Sequence, residues 1–168
     1  MKYFVDTNIF IDLFSKVDEV KKKAQEKITD IAKQEDSALF VNRLVYLESL
    51  RTIPQNNSHI FRESRDVFDA FEFLDITQDI YDQAISFSRY CQSKGITLKG
   101  RCAAIDFLHF ITAQYYQLEL LSNDGDMAKL ATCYLEWKEA PQLNHNQQLN
   151  VELSPSKGGG SSSASKGG

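Results

Sequence analysis

Residues 2–12 read KYFVDTNIFID, and the fold turns on how that stretch divides. Lys2–Val5 has the aromatic and β-branched content of a short buried strand. Asp6, Thr7 and Asn8 interrupt it, and Ile9, Phe10, Leu13 and Phe14 then resume the apolar pattern at helical spacing. Thr7 or Asn8 is placed to cap that helix. A strand that turns into a helix through three polar residues opens a β–α unit. It leaves an acid, Asp6, just past the strand's carboxyl end.

The same alternation continues along the chain. DEVKKKAQEKITDIAKQ (18–34) is a charged helix with Val20, Ala24, Ile28 and Ile31 on one face. SALFVN (37–42) reads as a second strand, and RLVYLESLRTI (43–53) as a helix stopped by Pro54. IFRESRDVFDAFEFL (60–74) reads as one amphipathic helix. LDITQDIYDQAISFSRYCQSKG (74–95) holds a short strand, a turn and a helix closed by Gly95. RCAAIDFLHFITAQYYQ (101–117) is a mostly apolar helix, and ELLSNDGDMAKLATCYL (119–135) is a strand, a turn and a short helix. Short apolar strands alternating with helices predict a layered α/β fold around a small, mostly parallel sheet flanked by helices. There is no internal repeat.

Of the 168 residues, the tail SPSKGGGSSSASKGG (154–168) has no apolar anchors and reads as a flexible linker or an engineering scar. Residues 1–153 are then one domain large enough for a proper core. The segment QLNHNQQLNVEL (142–153) is too polar to place beyond a single edge strand. No apolar run has the length of a membrane span, and Asp6 breaks the only N-terminal apolar segment, against a secretory signal. Cys91, Cys102 and Cys133 are odd in number and lack metal-ligand spacing, as expected of reduced thiols in an intracellular, cytoplasmic protein. With 19 basic and 23 acidic residues the net charge is −4, against an extended basic nucleic-acid surface. A carboxylate cleft that takes up a divalent cation is compatible with that balance.

Four acids stand apart. Asp6 and Asp124 each follow a strand, and ligand sites of open α/β sheets gather at strand carboxyl ends. Glu48 lies on the path of an otherwise apolar helix, and Asp106 sits within AAIDFLHF. Asp6 and Asp124 read equally well as helix caps, and Glu48 as a solvated position. Asp106 is different. A carboxylate among Ala103, Ala104, Ile105, Phe107 and Leu108 needs a partner, and no lysine or arginine lies three or four positions away. A hard, oxygen-preferring cation accounts for several acids directed to one place.

FVDTNIFID resembles the opening motif of the PIN-domain nucleases, the family that includes the toxin ribonucleases of bacterial toxin–antitoxin pairs (VapC-like). LVYLESL resembles their second acidic motif, and DFLHFITAQYYQLELLSNDGDMAKL their long C-terminal signature. The likeness spans about residues 2–132, with Met127 standing where the family usually has an aromatic and Gly125 loosening the turn before it. It implies a three-layer PIN-like fold and a site of Asp6, Glu48, Asp106 and Asp124 holding Mg²⁺ or Mn²⁺, with Asp126 as a fifth acid and Asn8 and Ser122 as polar supports.

The resemblance also implies a metal-dependent endoribonuclease acting on RNA, a protein antitoxin that covers the acidic cleft, and a homodimer. Phe61, Phe68, Phe71 and Phe73 read either as a dimer contact or, preferably, as core. Arg43 and Arg101 are candidate substrate contacts, with Arg51, Lys94 and Lys99 as weaker ones. His109, three residues after Asp106, reads as a packed or hydrogen-bonded core histidine in preference to a general base. Two alternatives share the fold: a catalytically inactive protein-pairing module and a DNA-directed nuclease of the same mechanism. An aspartyl phosphotransferase ranks below them, because Asn8 stands where that chemistry wants a second aspartate.

Overall fold

β1 (Lys2–Val5) runs into α1 (Thr7–Leu13), and α2 (Asp18–Ala32) carries the chain back to β2 (Ala38–Asn42). The computed structural model describes residues 1–99 and 103–140, of which Met1–Trp137 form one packed unit and Lys138 onward belongs to a second. After β2 come α3 (Arg43–Arg51), α4 (Ser58–Val67), a single 3-10 turn at Phe68–Ala70 and β3 (Glu72–Leu74). Then follow α5 (Gln78–Ser93), α6 (Ala103–Tyr115), β4 (Glu119–Leu121) and α7 (Gly125–Glu139). The expected boundary at 153/154, the segment 142–153, Arg101 and Cys102 all lie outside the described residues.

The four strands are all parallel, in the order β3-β2-β1-β4. Parallel strands need crossovers, and crossovers are right-handed. The steps β1→β2 and β2→β3 move one way across the sheet and β3→β4 moves back. α1–α4 therefore cover one face and α5 and α6 the other, which makes three layers. Two hydrophobic clusters fill them. One joins Phe4, Ile9, Phe10, Val41, Val45, Phe68 and Phe71, and the other joins Ile80, Phe87, Phe110, Ile111, Leu130 and Trp137. Tyr3, Phe4 and Val5 are all buried, as expected of a central strand covered on both faces.

Three expectations need correction. Residues 60–74 are not one helix: the helix stops at Val67, and Glu72–Leu74 pairs with Phe40–Asn42 as β3. The third strand therefore precedes the DIT segment expected to contain it. Phe68 and Phe71 are spaced for either a helix or a turn, and both are consumed by packing against Phe10, at ring centroid separations of 4.4 and 5.0 Å. The last helix is not short, because Met127, Leu130, Cys133 and Trp137 keep one face buried for about three turns. The cap of α1 is neither Thr7 nor Asn8 but Asp6, whose carboxylate accepts from the Thr7 N–H.

Of the four phenylalanines weighed for a dimer contact, Phe68 and Phe71 are core, Phe73 is half-buried and Phe61 is exposed. Cys91 and Cys133 are buried free thiols with their sulfurs 3.1 Å apart, and burial with the neighbouring sulfur pushes the Cys91 thiol well up. None of the helices among the described residues is long and apolar enough to cross a membrane.

Candidate active site

The carboxyl ends of β1 and β4 lie side by side, in register Val5↔Leu121, and the Asp6 N–H donates to the Leu121 carbonyl at 3.0 Å. Each strand is followed at once by polar residues, so Asp6 and Ser122 face one another across the sheet edge. This is where a parallel sheet leaves a crevice.

Asp6 is 4% exposed, and both its oxygens are engaged. Oδ1 accepts from the Thr7 N–H at 2.7 Å and lies 3.3 Å from His109 Nδ1. Oδ2 accepts from Asn8 Nδ2 and from the Ser122 hydroxyl, each at 2.8 Å. The Ser122 oxygen also accepts from Asn8 Nδ2 at 2.9 Å and from the Asp124 N–H at 3.0 Å. One hydroxyl proton and two lone pairs are thus all used. Asn8 is equally committed: its amide donates both hydrogens, and its carbonyl oxygen accepts from the Asn123 N–H at 3.1 Å. Asn8 and Ser122, predicted as supports, touch Asp6 directly.

α3 brings in Glu48. Asn42, fully buried at the end of β2, caps that helix by accepting from the N–H groups of Leu44 and Val45. Glu48 Oε2 then accepts from the Thr7 hydroxyl at 2.8 Å, so Thr7 bridges Asp6 and Glu48 through its N–H and its side chain. Reading Thr7 as a helix cap hid this role.

α6 carries Asp106 in its first turn, half-buried rather than enclosed. Its pKa is pushed up to about 6, first by burial, then by the negative charges of Asp6 and Asp124, with a smaller push from Glu48 and an opposing pull from His109. The four predicted acids therefore share one electrostatic neighbourhood. Among the described residues no lysine or arginine is ion-paired with any of them. Nor are three His, Cys, Asp or Glu side chains already drawn into a closed ligand cage among those residues.

Asp124 is exposed and caps α7, with Oδ1 accepting from the Asp126 N–H at 2.8 Å. Asp126 is turned elsewhere. It is buried, Oδ1 pairs with the Lys129 ammonium, and Oδ2 accepts from the Lys99 N–H at 2.7 Å. Those two hydrogen bonds hold its carboxyl below the usual carboxylate range. Asp126 thus ties the segment entering α6 to the start of α7. Arg43 is exposed, with its guanidinium 4.3 Å over the Phe73 ring.

His109 is buried as expected, and the partner that its Nδ1 meets is Asp6. Asn123 was not singled out from the sequence. It donates to Asp12 at 2.8 Å and accepts from Lys27 at 2.9 Å. Nothing in a single sequence flags a lone asparagine in such a role.

The donor set suits a hard divalent cation: oxygens only, partly buried, and short of positive partners among the described residues. Among solved structures, the chain is similar to VapBC2 from Rickettsia felis bound to a DNA fragment from its promoter, with a TM-score of 0.62 and 15% identity over 77% of this chain and 93% of that one. It is similar to VapBC-1 from nontypeable Haemophilus influenzae, with a TM-score of 0.61 and 18% identity over 79% and 93%. A third similar structure is VapC20 of Mycobacterium tuberculosis, a sarcin–ricin loop cleaving toxin, with a TM-score of 0.59 and 14% identity over 76% and 93%. At these identities the likeness is one of fold. No curated protein matches the chain in sequence. The model of the PIN domain matches residues 3–132, and the chain belongs to the PIN-domain family.

Proposed function

We propose that this chain is a divalent-metal-dependent endoribonuclease and the toxin of a toxin–antitoxin pair. The observation that carries the reading is the convergence of Asp6, Glu48, Asp106 and Asp124 at the carboxyl edge of a PIN-domain sheet, with the Asp106 carboxyl pushed up to about 6 by burial and by the charges of Asp6 and Asp124. Asp6, Glu48, Asp106 and Asp124 would hold Mg²⁺ or Mn²⁺. When bound, that ion supplies Lewis-acid relief of phosphoryl charge and a water of lowered pKa.

The protein's own part is positioning. Thr7, Asn8, Ser122 and His109 fix the Asp6 carboxylate in one orientation, and Thr7 sets Glu48 beside it. Asp106 has no hydrogen-bond partner among the described residues and is free to turn toward a cation. Asp126, committed to Lys99 and Lys129, holds the frame.

RNA as substrate and an antitoxin as partner are supported by the family and by neighbours that are VapBC complexes or, in one case, a toxin cleaving the sarcin–ricin loop. Pairing as a homodimer belongs to the same reading. The test is cleavage of a labelled structured RNA pool and a matching DNA pool, with and without Mg²⁺ or Mn²⁺, by wild type, Asp6→Asn and Asp106→Asn. RNA cleavage that needs the metal and falls to background in both variants is the expected result. DNA-only cleavage would overturn the substrate. No cleavage of either pool by folded protein would favour the protein-pairing alternative.

A further inference from the structure

α2 carries the only run of three consecutive lysines in the chain, Lys21–Lys23, with Lys27 one turn beyond. Lys23 and Lys27 line a groove of about 400 Å³ between α2, α1 and the β4–α7 turn, together with Asp12, Val20, Ala24 and Asn123. Its floor is concave because Ala24, 3% exposed, puts only a methyl group between Val20 and Lys27 on that helix face. Its inner wall is Asn123, between the Ser122 that holds Asp6 and the Asp124 that caps α7.

The groove is joined to the acids by consecutive hydrogen bonds. Lys27 donates to the Asn123 side-chain oxygen at 2.9 Å, the Asn123 N–H donates to Asn8 at 3.1 Å, and Asn8 donates to Asp6 at 2.8 Å. Asp12, the one acid in the lining, already accepts from the Asn123 amide at 2.8 Å. Lys23 pairs with Glu19 at 2.8 Å, an exposed i,i+4 contact that a phosphate can displace at little cost. Cationic rim, small apolar floor and one amide are the chemistry of a single nucleotide: phosphate on the ammonium groups, base against Val20 and Ala24, a polar edge toward Asn123. The volume lies within the range of small-ligand sites.

We propose that this groove is a subsite for one nucleotide of a single-stranded RNA, next to the phosphate that the acids act on, with Lys23 and Lys27 as its phosphate contacts. The proposal rests on the nuclease reading above and adds where the strand leaves the site. It gives an acidic protein a short basic track where its net charge provides no extended one.

The test is binding of a short fluorescein-labelled single-stranded RNA to metal-free protein, where cleavage does not compete, followed by fluorescence anisotropy across a salt series. Lys23→Ala/Lys27→Ala is compared with Lys22→Ala/Lys33→Ala, which removes the same charge from outside the groove. The groove variant is expected to bind roughly tenfold more weakly, with a log–log salt slope shallower by about 1, while the control stays near wild type. A 4-thiouridine placed beside the cleavage position is expected to cross-link to the Val20–Lys27 segment. Equal losses in the two variants, or none in either while wild type binds, would overturn the subsite and leave the nuclease reading standing. Wild type that binds no RNA at all would also overturn the subsite, while the nuclease reading stands or falls on the metal-dependent cleavage described above.

Discussion

His109 Nδ1 lies 3.3 Å from Asp6 Oδ1 in the interior of the protein, and the histidine is 1% exposed. An ionised carboxylate only accepts, so Nδ1 carries the hydrogen and points at the acid. The other ring nitrogen, Nε2, is buried with no hydrogen-bond partner among the described residues, and the Phe4 and His109 ring centroids are 5.7 Å apart. The core thus holds an unsatisfied nitrogen in exchange for one more group orienting Asp6. His109→Leu removes both the cost and the contact, so the predicted change in stability is small, within about 1 kcal/mol. Metal-dependent RNA cleavage is predicted to fall roughly tenfold, the usual scale for losing a partner of a ligand. Thermal melts and cleavage rates of the same preparation check this; parallel losses of both would mean that the ring acts through packing.

Ser122 offers a sharper case, because its hydroxyl meets Asp6, Asn8 and the Asp124 N–H together. Ser122→Ala strips three contacts at once. The predicted destabilisation is about 1–3 kcal/mol, with metal affinity lowered about 10- to 100-fold. Ser122→Thr, which keeps the hydroxyl, is predicted to recover most of both. Denaturant titration and calorimetric Mn²⁺ titration separate the two effects.

Asp106 makes the metal-free protein sensitive to pH. Its folded pKa of about 6 lies above the ordinary aspartate value of 3.8, so the folded state binds the proton more tightly than the unfolded chain. Its ionised form therefore costs stability above about pH 6, and that cost disappears as the pH falls below the unfolded value. Asp106→Asn is predicted to stabilise metal-free protein at pH 7.5 by about 1–2 kcal/mol, with little gain at pH 4. A bound divalent cation favours the ionised form, so Mn²⁺ binding is predicted to release protons between pH 5 and 7, about one unit either side of that pKa. Melting curves at the two pH values, and titrations in buffers of different ionisation enthalpy, read these out.

Asp126 titrates in the opposite sense. Its carboxyl is held low by Lys129 and the Lys99 N–H, so its ionised form contributes stability above the ordinary carboxylate range. That contribution is lost as the pH falls through the lowered folded pKa. Asp126→Asn is predicted to lower the melting temperature at pH 7, by an amount that shrinks toward pH 3. Cleavage well below the melting temperature is predicted to survive in Asp126→Asn and to vanish in Asp6→Asn. Equal loss in both would place Asp126 among the ligands.

Much of this was legible in the residues themselves. KYFV before DTN, and ELL before SND, identify strands and the acids that follow them from hydropathy period and residue type alone, and both sit where the sheet's edge requires. Residues 60–74 misled because Phe68, Phe71 and Phe73 satisfy a helical stripe and an alternating strand alike. Only pairing of Glu72–Leu74 with β2, some thirty residues earlier in the chain, decides between them.

The sequence by itself determined the order of strands and helices and which acids are available, because both depend on local periodicity and side-chain chemistry. The tertiary structure alone decided how those acids are held. His109 meets Asp6 across 103 positions, Ser122 meets it across 116, and Lys27 reaches Asn123 across 96. No local pattern encodes such contacts; they exist because four parallel strands bring two chain reversals to one edge, where burial leaves each polar group few partners to choose from.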